Sequence, residues 1–174
     1  MRLKPALLAI VFLAAAPAAA QGTLSRADVI LATVFDTCSR VYGGSLSLTD
    51  PAQLSSIDFR ATPPRETPGG LIPRAERGDG ADKIVLSGQR KGNEGQCAVW
   101  FGGADNARLL KQVRQRAKAE GFVLGPVLRL GDGTGISKAV KPGAPYALTI
   151  LEGDGGGELP TSPVTTIIYI AEKN

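Results

Sequence analysis

The sequence predicts an α+β domain: a mainly antiparallel sheet of about four to five strands, two principal helices packed on one face, and one disulfide. Three observations predict it. Apolar residues recur at helical spacing after Ser25 and again after Asp105. Short runs rich in Val, Ile and aromatic residues, bounded by Gly, Asn and Pro, recur between and after them. The two cysteines of the chain, Cys38 and Cys97, fall one in a helical stretch and one in a strand-like stretch.

The elements follow in chain order. Residues 1–20 read as a secretory signal. Arg2 and Lys4 give a positive start, Ala6 to Ala16 an apolar middle, Pro17 a break, and Ala18-Ala19-Ala20 a small-residue cleavage site. An apolar run of this length is short of the ~20 residues a membrane span needs. The expected mature form, residues 21–174, is therefore a single domain without a transmembrane segment, periplasmic or secreted, and the style of the signal is bacterial. In such an oxidising compartment Cys38 and Cys97 are expected to form a structural disulfide.

Ser25-Arg26-Ala27-Asp28 has the form of a capping box and starts the first helix. Leu31, Val34, Phe35, Cys38, Val41 and Tyr42 form its apolar stripe, and Gly43-Gly44 stop it. Asp50-Pro51 opens a short helical turn. Residues 61–82 carry Pro63, Pro64, Pro68 and Pro73 and read as a long irregular connection. Lys83–Ser87 and Gln96–Phe101 read as a hairpin about Gly92–Gly95. The two-residue period puts Cys97, Val99 and Phe101 on one face and Ala98 and Trp100 on the other. A second helix runs from Asp105 or Asn106 to about Glu120, with Leu110, Val113 and Ala117 as its apolar edge and Leu109 beside them. Residues 122–130 read as a strand broken at Gly125-Pro126, and 131–135 as a turn. Tyr146–Leu151 and Val164–Ala171 read as a final hairpin across the glycine-rich link 153–157.

Composition excludes several functions. The chain has no histidine, so Ser-His-Asp and Cys-His nucleophile systems and imidazole metal sites are excluded. Of 20 basic residues, Arg2 and Lys4 leave with the signal, so 18 face 16 acidic residues, a net of +2. That balance and export speak against nucleic acid. Gly131–Lys138 lacks phosphate-loop spacing, the acidic glycine-rich loops lack a calcium-loop pattern, and neither cofactor nor metal is expected.

Two surfaces remain as candidates. Arg108, Lys111, Arg114 and Lys118 lie on nearly one face of the second helix at ~100° per residue, which suits an anionic envelope component or an envelope protein. Trp100, with Tyr146 and Tyr169 on neighbouring strands, would form an aromatic patch if the uncovered sheet face were open. The competing expectation is that residues 61–82 fold over Trp100 and close a second small core. The function expected is a small exported binding or interaction module. The alternatives are a hydrolase using loop carboxylates (Asp58, Asp79, Asp82, Glu94, Asp132, Asp154 and Glu158) and a structural component of an envelope assembly.

Overall fold

The computed structural model describes residues 24–153, 159 and 163–171. The expected signal over 1–20, together with Asp154 and Glu158, lies outside the described residues.

The chain enters a helical run built from three segments, α1 (Arg26–Ala32), a π-helical turn (Thr33–Thr37) and α2 (Cys38–Gly43). Ser25 and Asp28 form the reciprocal capping box, and Gly44 closes the run at φ 80°. The expected stripe is buried from Val34 to Tyr42, with Leu31 packed at its margin. The π turn coincides with a tertiary hydrogen bond: the Tyr169 hydroxyl donates to the Val34 carbonyl at 2.6 Å. A partner that enters the backbone ladder is a recognised cause of such a turn. Helix α3 (Pro51–Ser56) has Asp50 as its cap, accepting from the Ala52 and Gln53 amides. Helix α4 (Asn106–Ala119) buries Leu109, Leu110, Val113 and Ala117.

The strands are β1 (Arg60–Thr67), β2 (Gly70–Arg77), β3 (Ile84–Lys91), β4 (Glu94–Gly102), β5 (Val123–Leu124), β6 (Leu128–Arg129), β7 (Gly135–Val140), β8 (Tyr146–Gly153) and β9 (Val164–Ala171). All nine join one antiparallel sheet in the order β1-β2-β3-β4-β9-β8-β7-β5, with β6 also on β7. This corrects the predicted fold class. The described residues are sheet-dominant, with nine strands and three helices (the α1–α2 run, α3 and α4) in place of four to five strands and two helices.

The physical reason is visible in the strands that sequence patterning missed. Residues 61–82, expected to be irregular, contain the β1–β2 hairpin turning at Pro68-Gly69. Pro63 and Pro64 lie where the register of β1 shifts, between Thr62 and Arg65, on the outer edge of the sheet. A residue without an N–H is tolerated there because no further strand needs it. Strand β7 was missed because its helix-side residues, Gly135, Ser137 and Ala139, are buried but small, so they give no apolar alternation. Pro126 occupies the opposite edge, between β5 and β6.

Register fixes the two faces. Cys97 pairs with Tyr169, Val99 with Ile167 and Leu86, and Tyr169 with Leu148, so these side chains share the face beneath the helices. The main core forms there. Cys38 and Cys97 are bonded, with their α-carbons 5.7 Å apart, and join the helical run to β4. Arg26 anchors the start of α1: its guanidinium pairs with Asp105 and donates to the Gly102 carbonyl at 2.6 Å and the Ala81 carbonyl at 2.9 Å. At the start of α4, buried Asn106 accepts from the Thr165 hydroxyl at 3.0 Å.

Tyr169 makes alkaline stability testable. Burial, reinforced by the nearby Tyr146, pushes its phenol far above the ordinary value of 10.0. The folded chain therefore keeps a proton that the unfolded chain releases. The stabilisation is complete below the ordinary tyrosine value, about pH 10, and is lost as pH rises above it. Urea midpoints are expected to fall above about pH 10, with a shallower fall in Y169F, which also loses about 1 kcal/mol for the buried hydrogen bond. Identical slopes in the two proteins would remove Tyr169 from this account. Tyr146, whose phenol burial also raises, supplies the residual slope in Y169F.

Candidate functional site

Helix α4 and the β5–β6 edge form two walls of a groove of about 800 Å³. The helix wall carries Leu110, Lys111, Arg114 and Lys118, and the strand wall carries Leu124, Val127 and Arg129. The register explains the strand wall. Leu124 pairs with Ala139 and Arg129 with Gly135, both helix-side residues of β7, so Leu124 and Arg129 point toward α4. Their neighbours Val123 and Leu128 pair with Val140 and Ile136 and point the other way, where both are strongly exposed.

Within the groove the cations are not equivalent. Arg114 donates to Glu152 at 2.6 Å and to the Ser137 hydroxyl at 3.4 Å. Both partners of this ion pair are partly buried, and it neutralises the groove base. Lys111 and Lys118 are exposed and have no hydrogen-bond or ion-pair partner among the described residues. Among the described residues Arg129 reaches only the Gly133 carbonyl, at 3.3 Å. The uncommitted positive charge is therefore Lys111 and Lys118 on one wall and Arg129 on the other. Arg108, expected on the same face, is not part of the groove. It stands about 60° round the helix from Lys111 at 100° per residue and pairs with Asp105 at 2.8 Å.

The aromatic patch does not form. Tyr169 and Tyr146 lie on the helix side, with ring centroids 4.7 Å apart, and Tyr42 packs on Tyr146 at 5.1 Å. Trp100 is on the opposite face and only 5% exposed. It packs with Val85, Val164 and Leu159 in a second, smaller core. Arg65, at the bulge of β1, brings its guanidinium carbon to 5.7 Å from the Trp100 ring centroid. Residues 61–82 thus contribute to the surroundings of Trp100, but as side chains of a paired hairpin, with Ile72 of β2 lining the same small cavity as Arg65 and Trp100.

The loop carboxylates are engaged. Asp58 pairs with Arg77 at 3.0 Å, Asp79 with Arg60 at 2.9 Å, and Asp82 with Arg26 at 3.1 Å, around a second cavity of about 510 Å³. In the same cavity Glu76 is hydrogen-bonded by Lys83, which holds its carboxyl below the usual range. Asp132 accepts from the Thr134 amide at 2.8 Å, a turn contact that also lowers its carboxyl. Glu94 begins β4, away from these groups. Among the described residues no three or more Cys, Asp or Glu side chains converge as metal ligands, and no helix is long and apolar enough to cross a membrane.

Comparison with protein-family models, curated proteins and solved structures finds no match. The groove is therefore read from its own residues. Sequence reasoning named Lys111, Arg114 and Lys118 but missed Arg129, Leu124, Val127 and Glu152. No local pattern linked these to α4, because the link runs through the pairing of β5 and β6 with β7 and of β7 with β8.

Proposed function

We propose that the protein is an exported binding module that holds an anionic partner in the groove between α4 and the β5–β6 edge. One observation carries the reading: uncommitted cations from two separate elements, Lys111 and Lys118 on a helix and Arg129 on a strand, face one concavity with an apolar lining. Its volume of about 800 Å³ lies within the ~300–1,000 Å³ of ligand sites, which combine apolar walls with a few placed polar groups. The Cys38–Cys97 bond supports an oxidising compartment, the periplasm or the exterior, as its place of work. A hydrolase reading has less support. A general acid needs a carboxyl with a raised pKa, whereas Glu76 and Asp132 are lowered and Asp58, Asp79 and Asp82 each face an arginine.

The test is a titration with inorganic tripolyphosphate followed by amide NMR shifts. Shifts are expected to cluster on α4 and on residues 124–129. The K111Q/K118Q/R129Q variant is expected to bind about tenfold more weakly, from three exposed charges at a few tenths to 1 kcal/mol each. Its melting temperature should stay close to that of the parent, because none of the three makes an ion pair among the described residues. Shifts scattered over the surface, or unchanged affinity in the variant, would overturn the reading.

A further inference from the structure

The spacing of charge within the groove narrows the ligand, an inference that rests on the anion-binding reading above. Lys111 and Lys118 are seven positions apart on α4, a rise of about 10 Å at 1.5 Å per residue. From Ala107 to Lys118 the helix wall runs for about 16 Å on the same scale. Arg129 faces this wall from β6, and Leu110, Leu124 and Val127 contribute apolar lining to the same groove. Arg114, which would have concentrated charge at the centre, is occupied by Glu152.

Such an arrangement discriminates by shape as well as by sign. A compact anion such as phosphate spans only a few ångströms and can meet one cation at a time. A uniformly charged polymer would press its ionised groups against Leu124 and Val127, where they lose water without gaining a partner. A chain whose negative groups are spaced and separated by apolar groups matches both features. An extended peptide advances about 3.3 Å per residue, so the groove wall holds about five residues, and carboxylates a few residues apart reach both lysines.

We infer that the groove receives an extended peptide segment in which acidic residues are interspersed with aliphatic ones. The aliphatic side chains lie on Leu110, Leu124 and Val127, and the carboxylates meet Lys111, Lys118 and Arg129. A second copy of the chain is disfavoured as occupant at this site, since a groove-to-groove contact would bring like charges together.

The experiment uses the exported chain and three probes at physiological ionic strength. The first is a synthetic capped peptide of about seven residues alternating aliphatic and acidic residues. The second is the same peptide with Gln and Asn for Glu and Asp. The third is inorganic polyphosphate. Isothermal titration and amide NMR shifts read affinity and location. The acidic peptide is expected to shift α4 and residues 124–129, to bind at least tenfold more tightly than the neutral one, and to lose at least tenfold in K111Q/K118Q/R129Q. V127S, at an exposed position, is expected to weaken the acidic peptide severalfold without weakening polyphosphate. If polyphosphate shifts the groove and the peptide binds no better than its neutral form, the peptide inference falls and the anion reading stands. If V127S weakens neither probe, the apolar half of the inference falls. If no probe shifts the groove, both readings fall.

Discussion

Replacing Cys38 and Cys97 together by alanine is expected to cost about 4 kcal/mol of stability, the chain-entropy value for a loop closed across 59 positions. For a domain of this size that is a fall of about 10–15 °C in melting temperature. Single domains are stable by only ~5–15 kcal/mol, so much of the margin goes with this bond. Both cysteines are buried, and alanine also leaves a small void, so a second measurement isolates the cross-link. Thermal melts of the unaltered chain with and without a thiol reductant keep the side-chain atoms in place. A shift of similar size is expected there. Equal melts in the two conditions, with free thiols confirmed in the reduced sample, would show that packing alone holds the helical run on β4.

The second large effect is expected from Gly95→Ala. The helical run lies close on β3 and β4 because two strand residues there have no side chain. A Cβ on Gly95 would overlap the Tyr42 carbonyl oxygen and come to 2.9 Å from its carbon. A Cβ on Gly88 would stand 2.9 Å from Cγ1 of Val41 on α2 and would also overlap the Gln96 carbonyl oxygen of β4. The carbonyl obstacles are backbone, so no rotamer change relieves them. The end of α2 would have to lift from the sheet within a few residues of the Cys38–Cys97 joint. A loss of about 3 kcal/mol is expected in G95A, the upper end for overpacking. Gly43, the last residue of α2, has open space around its Cβ position, and G43A serves as control. It should be neutral or gain a few tenths of a kcal/mol. Chemical denaturation of the pair measures the difference, and equal midpoints would refute the close approach.

Local signals carried a good part of this fold. The Ser25 capping box, the stripe from Leu31 to Tyr42, the Asp50 cap and the β9 span are all present. Each depends on residues within a few positions of one another. Strands β1, β2 and β7 were not legible because their residues break the usual strand pattern, although each pairs with a strand next to it in the chain. Prolines are admissible on β1 only because it is an edge, and the small helix-side residues of β7 are explained only by what lies above them. The site divides in the same way. The helical period brought Lys111, Arg114 and Lys118 together from sequence, whereas Arg129 reaches them through pairing with Gly135 on β7. Glu152, on β8, removes Arg114 from the free charge, and nothing near either residue in the chain announces that pair. Trp100 was placed on the correct face of β4, but the residues that pack on it, among them Arg65, Val85, Leu159 and Val164, lie on both sides of it in sequence.

The prolines at the two margins of the sheet also bear on how molecules behave in company. Among the described residues the nine-strand ribbon has β1 at one margin and β5 and β6 at the other, and such a margin invites a stray segment from another molecule to extend it, the first step of fibrous growth. Pro63 and Pro64 at one margin and Pro126 at the other each interrupt the row of donors such growth would copy. The same residues that bound the ribbon within one molecule thus also hinder its extension by another.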